Sequence, residues 1–199
     1  MTNGEETQKN EPKLNDAESL AWYEESDLTN IASWANNRRF QDLRRKIILS
    51  SSSRDIKNLE KILSENRGKG VRGATEIERH MAHRIYNSGV LLLKLGEETG
   101  EKEWVSVGKE MYRFYGDVYR EYGAYSHAAF AYLRIGLIDL KECEEMQKRD
   151  RLKTEKEINY DYVFDRAKEF LDIVKNTSLW TIDYRSLFYE IEEEIKNDK

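Results

Sequence analysis

Proline is almost missing from the chain. Of 199 residues one is proline, Pro12, and it lies in a polar leader. Beyond it, no residue has the fixed φ and the missing N–H that break a helix interior. Cysteine is as scarce. Cys143 stands alone inside the helical pattern LKECEEM, which excludes an intramolecular disulfide and fits a reducing compartment, with the thiol a structural or incidental residue. Long apolar runs are absent too. The longest run of branched aliphatic residues is the VLLL of residues 90–93, far short of the roughly 20 residues that span a bilayer. The opening MTNGEETQKNEPKLND has no apolar core of the kind a signal peptide needs. These shortages point to a soluble, cytoplasmic protein with no membrane contact. No disulfide or metal staple is required either, since a chain of this size buries roughly 70% of its unfolded surface.

What the chain does have is charge, unevenly spread. The net charge is −5, yet residues 38–84 carry 13 Arg or Lys against 6 Asp or Glu, a local +7 that leaves −12 for the remainder. In RRFQDLRRK, Arg38, Arg39, Arg45 and Lys46 gather opposite Phe40, Leu43 and Ile47; Arg54, Lys57 and Lys61 continue at i, i+3 and i+7, and Lys69 and Arg72 follow. Such a surface can take nucleic-acid phosphates or an acidic protein, or it can balance the acidic half of the chain, within one molecule or in a homo-oligomer. Neither an aromatic-rich RNA signature nor zinc-ligand spacing accompanies it, so nucleic acid is the second reading.

Apolar residues recur at helical spacing, which predicts an all-α protein of about eight helices. Residues 1–15 are a polar leader expected to stay disordered, because they bury nothing to offset the entropy of ordering them. Residues 16–199 are read as a single all-α domain, with basic N-terminal helices over 16–67 and a further helical part over 74–199. Leu20, Tyr23, Leu28, Ile31 and Trp34 share one helical face. Serines 50–53 are read as a stop, with Ser52 and Asp55 as a capping box for the next helix; Thr75 with Glu78 and Thr154 with Glu157 are two further boxes. Helices are expected over 101–122, 125–149, 154–175 and 183–197. Between two helices lies GKGVRG, residues 68–73, with the glycine spacing of a dinucleotide loop. It has neither a preceding strand nor the GK-[ST] ending of a P-loop, so no nucleotide cofactor is expected. Lys69 and Arg72 precede a capped helix start, where a polymer backbone or an acidic surface could sit.

The most patterned segment is residues 109–142, KEMYRFYGDVYREYGAYSHAAFAYLRIGLIDLKE. Tyr112, Tyr115 and Tyr119 lie at helical spacing, Gly116 permits close helix approach, and Gly123 turns the chain into a second helix with small Ala128 and Ala129. This describes two tightly packed helices. It also resembles one tetratricopeptide repeat, with Tyr112, Tyr115-Gly116, Tyr119, Ala128 and Tyr132 at the motif's places. Ile135 and Leu140 stand where that family prefers alanine and proline, and a shift of 34 residues finds no second copy. The resemblance implies a TPR-like groove that binds a partner protein, here through Glu110, Arg113, Asp117, Arg120 and Glu121. The alternative is a solvated surface with Arg113 and Asp117 as an i, i+4 pair.

Two constellations remain. Glu76, His80 and His83 share a face, but no facing ligand pair exists and no metal is expected. REYGAYSH, residues 120–127, has the R-x4-6-H spacing of the HEPN ribonucleases, small helical bundles that cleave RNA without metal. That resemblance implies that Arg120 stabilises developing phosphate charge and His127 transfers a proton; Glu121 departs from the family's usual residue. The sequence therefore favours a non-enzymatic interaction module or adaptor with protein partners and no cofactor. A nucleic-acid-associated subunit stands second and a HEPN-like ribonuclease third.

Overall fold

The computed structural model describes residues 41–69, 75, 77–150 and 157–197. Among these there are eight α-helices and no strand: α1 Gln41–Glu65, α2 Ala82–Thr99, α3 Lys102–Glu121, α4 Tyr125–Arg134, α5 Leu140–Asp150, α6 Tyr160–Lys175, the single turn α7 Ser178–Thr181 and α8 Tyr184–Asn197. A π-helical turn, Ile77–Met81, leads into α2. The all-α reading is correct. The leader, the stripe from Leu20 to Trp34, Arg38, Arg39, Phe40, Arg72, Glu76, the Thr154 box and all of GKGVRG after Lys69 lie outside the described residues.

Helix α1 is the central post, packed by α2, α6, α7, α8 and the π turn. It runs straight through residues 50–53, so the expected serine stop is overturned. Serine lowers helix propensity by only tenths of a kcal/mol per residue, and here tertiary burial outweighs that cost. Ser50, Ser51, Ser52, Ser53, Arg54 and Asp55 are all buried, and their small or paired side chains let neighbouring helices close in around the post. Asp55 is no cap. It accepts a 2.6 Å hydrogen bond from Ser88 Oγ on α2 and lies 3.1 Å from Arg84. Ser53 Oγ and Lys57 Nζ both donate to the Ile182 carbonyl, at 2.7 and 2.9 Å, and so tie the α7–α8 link to the post.

From α2 to α5 the helices run as successive neighbours, each packed on the next. The contacts are close because glycine removes side chains where backbones meet. A Cβ on Gly108 would lie 3.0 Å from the Leu93 backbone N, and one on Gly116 would lie 2.5 Å from the Tyr132 ring. The expected helix over 125–149 is two helices. Gly136 adopts φ +74°, and the N–H groups of Gly136 and Leu137 return to the carbonyls of Leu133 and Tyr132. That is the paired bond of a Schellman stop, which needs a residue tolerant of the left-handed region. Helix α6, capped by the Asn159 side chain on Tyr162 N–H at 3.0 Å, lies across α3 and α1, with Phe170 stacked on Phe114 at 5.2 Å. One buried cluster runs from Ile48 on α1 to Leu179 on α7. No described helix is long and apolar enough to cross a membrane.

Candidate interaction surfaces

The five residues of the expected groove lie on α3, but they do not form one open face. Asp117 is turned inward and only 7% exposed. Its Oδ1 accepts a 2.5 Å hydrogen bond from the Tyr132 hydroxyl on α4, and its Oδ2 accepts one of 2.7 Å from Arg166 Nε on α6. Arg113 is therefore not its partner. Arg166, 8% exposed, reaches Glu169 with its other arm. Burial works against the Arg166 charge, but Asp117 and Glu169 hold the guanidinium above its ordinary value; burial and Asp117 together push the Tyr132 hydroxyl up. Arg120 donates to the Tyr162 hydroxyl at 3.0 Å and lies 5.8 Å from the Tyr132 ring. Glu121 accepts from the Asn159 N–H at the start of α6, at 3.1 Å. Three of the five thus fasten α6 onto the α3–α4 hairpin, while Arg113 is exposed and Glu110 half-buried.

The basic residues are dispersed as well. Lys46 pairs with Glu190 at 3.5 Å and with Glu194, both on α8, and its hydrogen bond to Glu194 raises its pKa. Arg54 is buried over the Phe188 ring at 5.6 Å, and Lys57 lies 5.9 Å from the Tyr184 ring. Arg45 sits 4.9 Å over Trp104, Lys61 pairs with Glu65 at 3.8 Å, and Lys69 is exposed. Three residues of the sequence's basic stripe, Lys46, Arg54 and Lys57, are thus turned toward the C-terminal part of the same molecule. Beside them, burial raises the Asp55 carboxyl above its usual range, against the pull of Arg84, Ser88 and Arg54.

Helices α2 and α4 flank α3, and aromatic rings from the three pack along it in a row, with Tyr112 and Tyr115 buried. Tyr86 lies 4.9 Å from Tyr112 and 4.4 Å from Tyr115; Tyr115 lies 4.2 Å from Tyr119, and Tyr119 lies 5.2 Å from His127. His83 joins from α2, 6.2 Å from Tyr115. At the other end Arg134 of α4 bridges to Glu97 of α2 at 3.7 Å. The two residues of the R-x4-6-H spacing part here. Arg120 is directed to Tyr132 and Tyr162, on the α6 side, whereas the His127 ring lies on Tyr119, and the two have no partner in common among these contacts. No group of three or more His, Cys, Asp or Glu side chains among the described residues could hold a metal ion. Cys143 is buried, with its sulfur accepting from Gln147 Nε2 at 3.7 Å.

Comparison with protein-family models, curated proteins and solved structures gives no match. Function must therefore be argued from the surface itself.

One surface feature was not singled out in the sequence. On the α4–α5 hairpin Phe130, Leu137 and Leu140 are 62%, 53% and 70% exposed. Their signal was present: Leu137 follows the Gly136 stop and Phe130 is one turn from Arg134, opposite the buried Ala128 and Ala131. The outer face of α5, by contrast, carries the exposed charges Lys141, Glu142, Glu144, Glu145 and Lys148.

Proposed function

We propose that this chain is a non-enzymatic interaction module that seats a partner protein on the α4–α5 hairpin. The observation that carries the reading is the exposure of Phe130, Leu137 and Leu140. Large apolar side chains grouped on a surface mark contact sites, and aromatic anchors supply much of the binding energy in such contacts. The partner surface that fits is an apolar pocket rimmed by charge, since exposed Arg134 lies between Phe130 and Leu137 in sequence and exposed Lys141 and Glu142 follow Leu140. The TPR-like implication of a partner groove is kept in altered form, as contact through the edge of the hairpin rather than across the face that α6 covers. No comparably specific observation favours nucleic acid or ribonuclease chemistry.

The test is co-purification from native cells, with and without nuclease, followed by mass spectrometry. The triple variant Phe130→Ser, Leu137→Ser, Leu140→Ser is expected to melt like the parent, because these side chains are exposed, and to lose its partner at least tenfold. Retention of every partner by that variant overturns the surface. Nuclease-sensitive capture moves the reading to nucleic acid.

A further inference from the structure

Between the last turns of α1 and helix α6 lies a cavity of about 340 Å³. Its floor is apolar: Leu63 of α1 and Leu171 of α6 are both buried in the core on their inner sides, and half-buried Phe164 lies beside them. Glu60 of α1 meets Lys175 of α6 at 3.0 Å. From that ion pair the α1 wall runs forward to Arg67, while the α6 wall runs back to Phe164, so the two walls pass antiparallel. The groove is therefore spanned by an ion pair at one end and bounded at the other by Arg67, Lys168 and Phe164.

The two ends differ in charge. Lys175 is matched by Glu60, and Asp172 stands exposed on the α6 rim. At the far end Arg67 is exposed and has no acidic partner among the described residues. Lys168, 4.7 Å from the Phe164 ring centroid, is paired at 3.7 Å with the exposed Asp165 of its own helix, a surface pair of the kind that contributes little and exchanges readily. The stop of α1 places Arg67: Gly68 takes φ +80°, and the N–H of exposed Lys69 returns to the Asn66 carbonyl at 2.9 Å. Arg67 and Lys69 together outweigh the partial negative charge, about half a unit, at a helix C-terminus. An apolar floor with free cations at one end and a balanced pair at the other fits a small amphiphile. The Arg67 fork can take a carboxylate in two hydrogen bonds, and an apolar tail can lie on Leu63, Leu171 and Phe164. From Phe164 to Lys175 the groove runs about 16 Å at 1.5 Å per residue, the reach of a medium-chain acyl group, and mostly apolar cavities of this size, with few polar groups to orient the guest, are the smaller ones that hold such molecules. We propose that the α1–α6 groove binds a medium-chain carboxylate, head toward Arg67 and Lys168 and tail toward the Glu60–Lys175 pair.

The inference does not depend on the partner surface of the α4–α5 hairpin, and its test separates the two. Decanoate is titrated calorimetrically into the full-length chain below its micelle concentration, beside decyl maltoside and decyltrimethylammonium as neutral and cationic analogues with the same tail. Decanoate should bind at one site with a dissociation constant of about 1 mM or tighter, and about tenfold or more tighter than either analogue; methyl spectra should shift first at Leu63 and Leu171. Arg67→Glu with Lys168→Glu should weaken decanoate about tenfold or more, and Ser64→Trp, which fills the groove from its wall, should abolish binding. All three positions are exposed, so both variants should melt like the parent. The triple serine variant of the α4–α5 hairpin should bind decanoate as the parent does. No binding, equal binding of an analogue, a groove variant that binds as the parent does, or loss of binding in the triple serine variant overturns the proposal.

Discussion

A single carboxylate, Asp117, shows how far a residue's role departs from its type. Ionisable groups held this deep need partners on every side, because removing a charge from water costs several kcal/mol unless it is repaid by close, well-directed contacts. Asp117 has Tyr132 on one oxygen and Arg166 on the other, so three helices meet on one side chain. Asp117→Ala removes the acceptor shared by Arg166 Nε and the Tyr132 hydroxyl, leaves Arg166 with Glu169, and should lower the free energy of unfolding by about 2–3 kcal/mol. Tyr132→Phe removes one neutral donor and should cost about 1–2 kcal/mol. Exposed Arg113→Ala should stay within about 0.5 kcal/mol. Urea denaturation with unchanged m-values checks all three; an Asp117→Ala chain as stable as the Arg113→Ala chain would remove Asp117 from this role. Nothing local in the sequence distinguishes Asp117 from Arg113. Its partner Arg166 is supplied by α6, 49 residues away, and only the packing of that helix decides which charges on α3 meet water.

At the scale of the element, helices were legible wherever apolar spacing and glycine agreed. The bounds of α3 and α8 fall within a residue or so of the pattern, and Gly100 and Gly123 adopt the positive φ their turns need. Two boundaries were not legible, for opposite reasons. The serines of α1 look like a stop by propensity, but burial against five neighbouring elements overrides it. Gly136 looks tolerable inside a helix, yet its positive φ turns the Leu137 N–H back to the Tyr132 carbonyl and stops the helix there. The break also allows α5 to fold back and cap its neighbour. Asp150, the last residue of α5, accepts from the N–H groups of Tyr125 and Ser126 at 2.7 and 2.8 Å. A carboxylate at a helix N-terminus is stabilised by those donors and by the dipole. Burial acts against the charge, but the hydrogen bonds from Ser126 and Tyr125 and the nearby His127 hold the Asp150 carboxyl below its ordinary value. The folded-state pKa is depressed, so the contribution is full above the unfolded value of about 3.9 and fades as pH falls through the lower folded one. Asp150→Asn removes the charge and should cost about 0.3–1 kcal/mol near neutrality, a difference that shrinks below about pH 4. Paired denaturation curves at pH 7 and pH 3 test this; an equal gap at both would assign the effect to packing.

Over the whole molecule, the division into basic and acidic halves is resolved partly within the chain. Lys46 of α1 meets Glu190 and Glu194 of α8, and Arg44 of α1 meets Glu98 of α2. The sequence displayed the imbalance and offered the acidic half as one way to balance it, but which basic residue meets which acid depends on contacts across 54 to 148 residues, and no periodicity encodes those. Partly exposed pairs of this kind contribute about 0.2–1 kcal/mol each and weaken with salt. Their collective effect is to align α8 on α1 rather than to drive folding, which the buried Phe188 and Ile191 serve. Lys46→Glu would set three carboxylates together and should lower stability by about 1 kcal/mol at low ionic strength, with much of the loss recovered near 1 M salt, where screening acts within about 3 Å. Adding Glu190→Lys and Glu194→Lys reverses both sides of the contact and should restore the parent stability in dilute buffer. Thermal melts of the three chains at two salt concentrations decide it: a loss that is indifferent to salt, or not repaired by the double reversal, would mean that α8 is held by its apolar face alone and that the charge asymmetry faces outward, toward a partner.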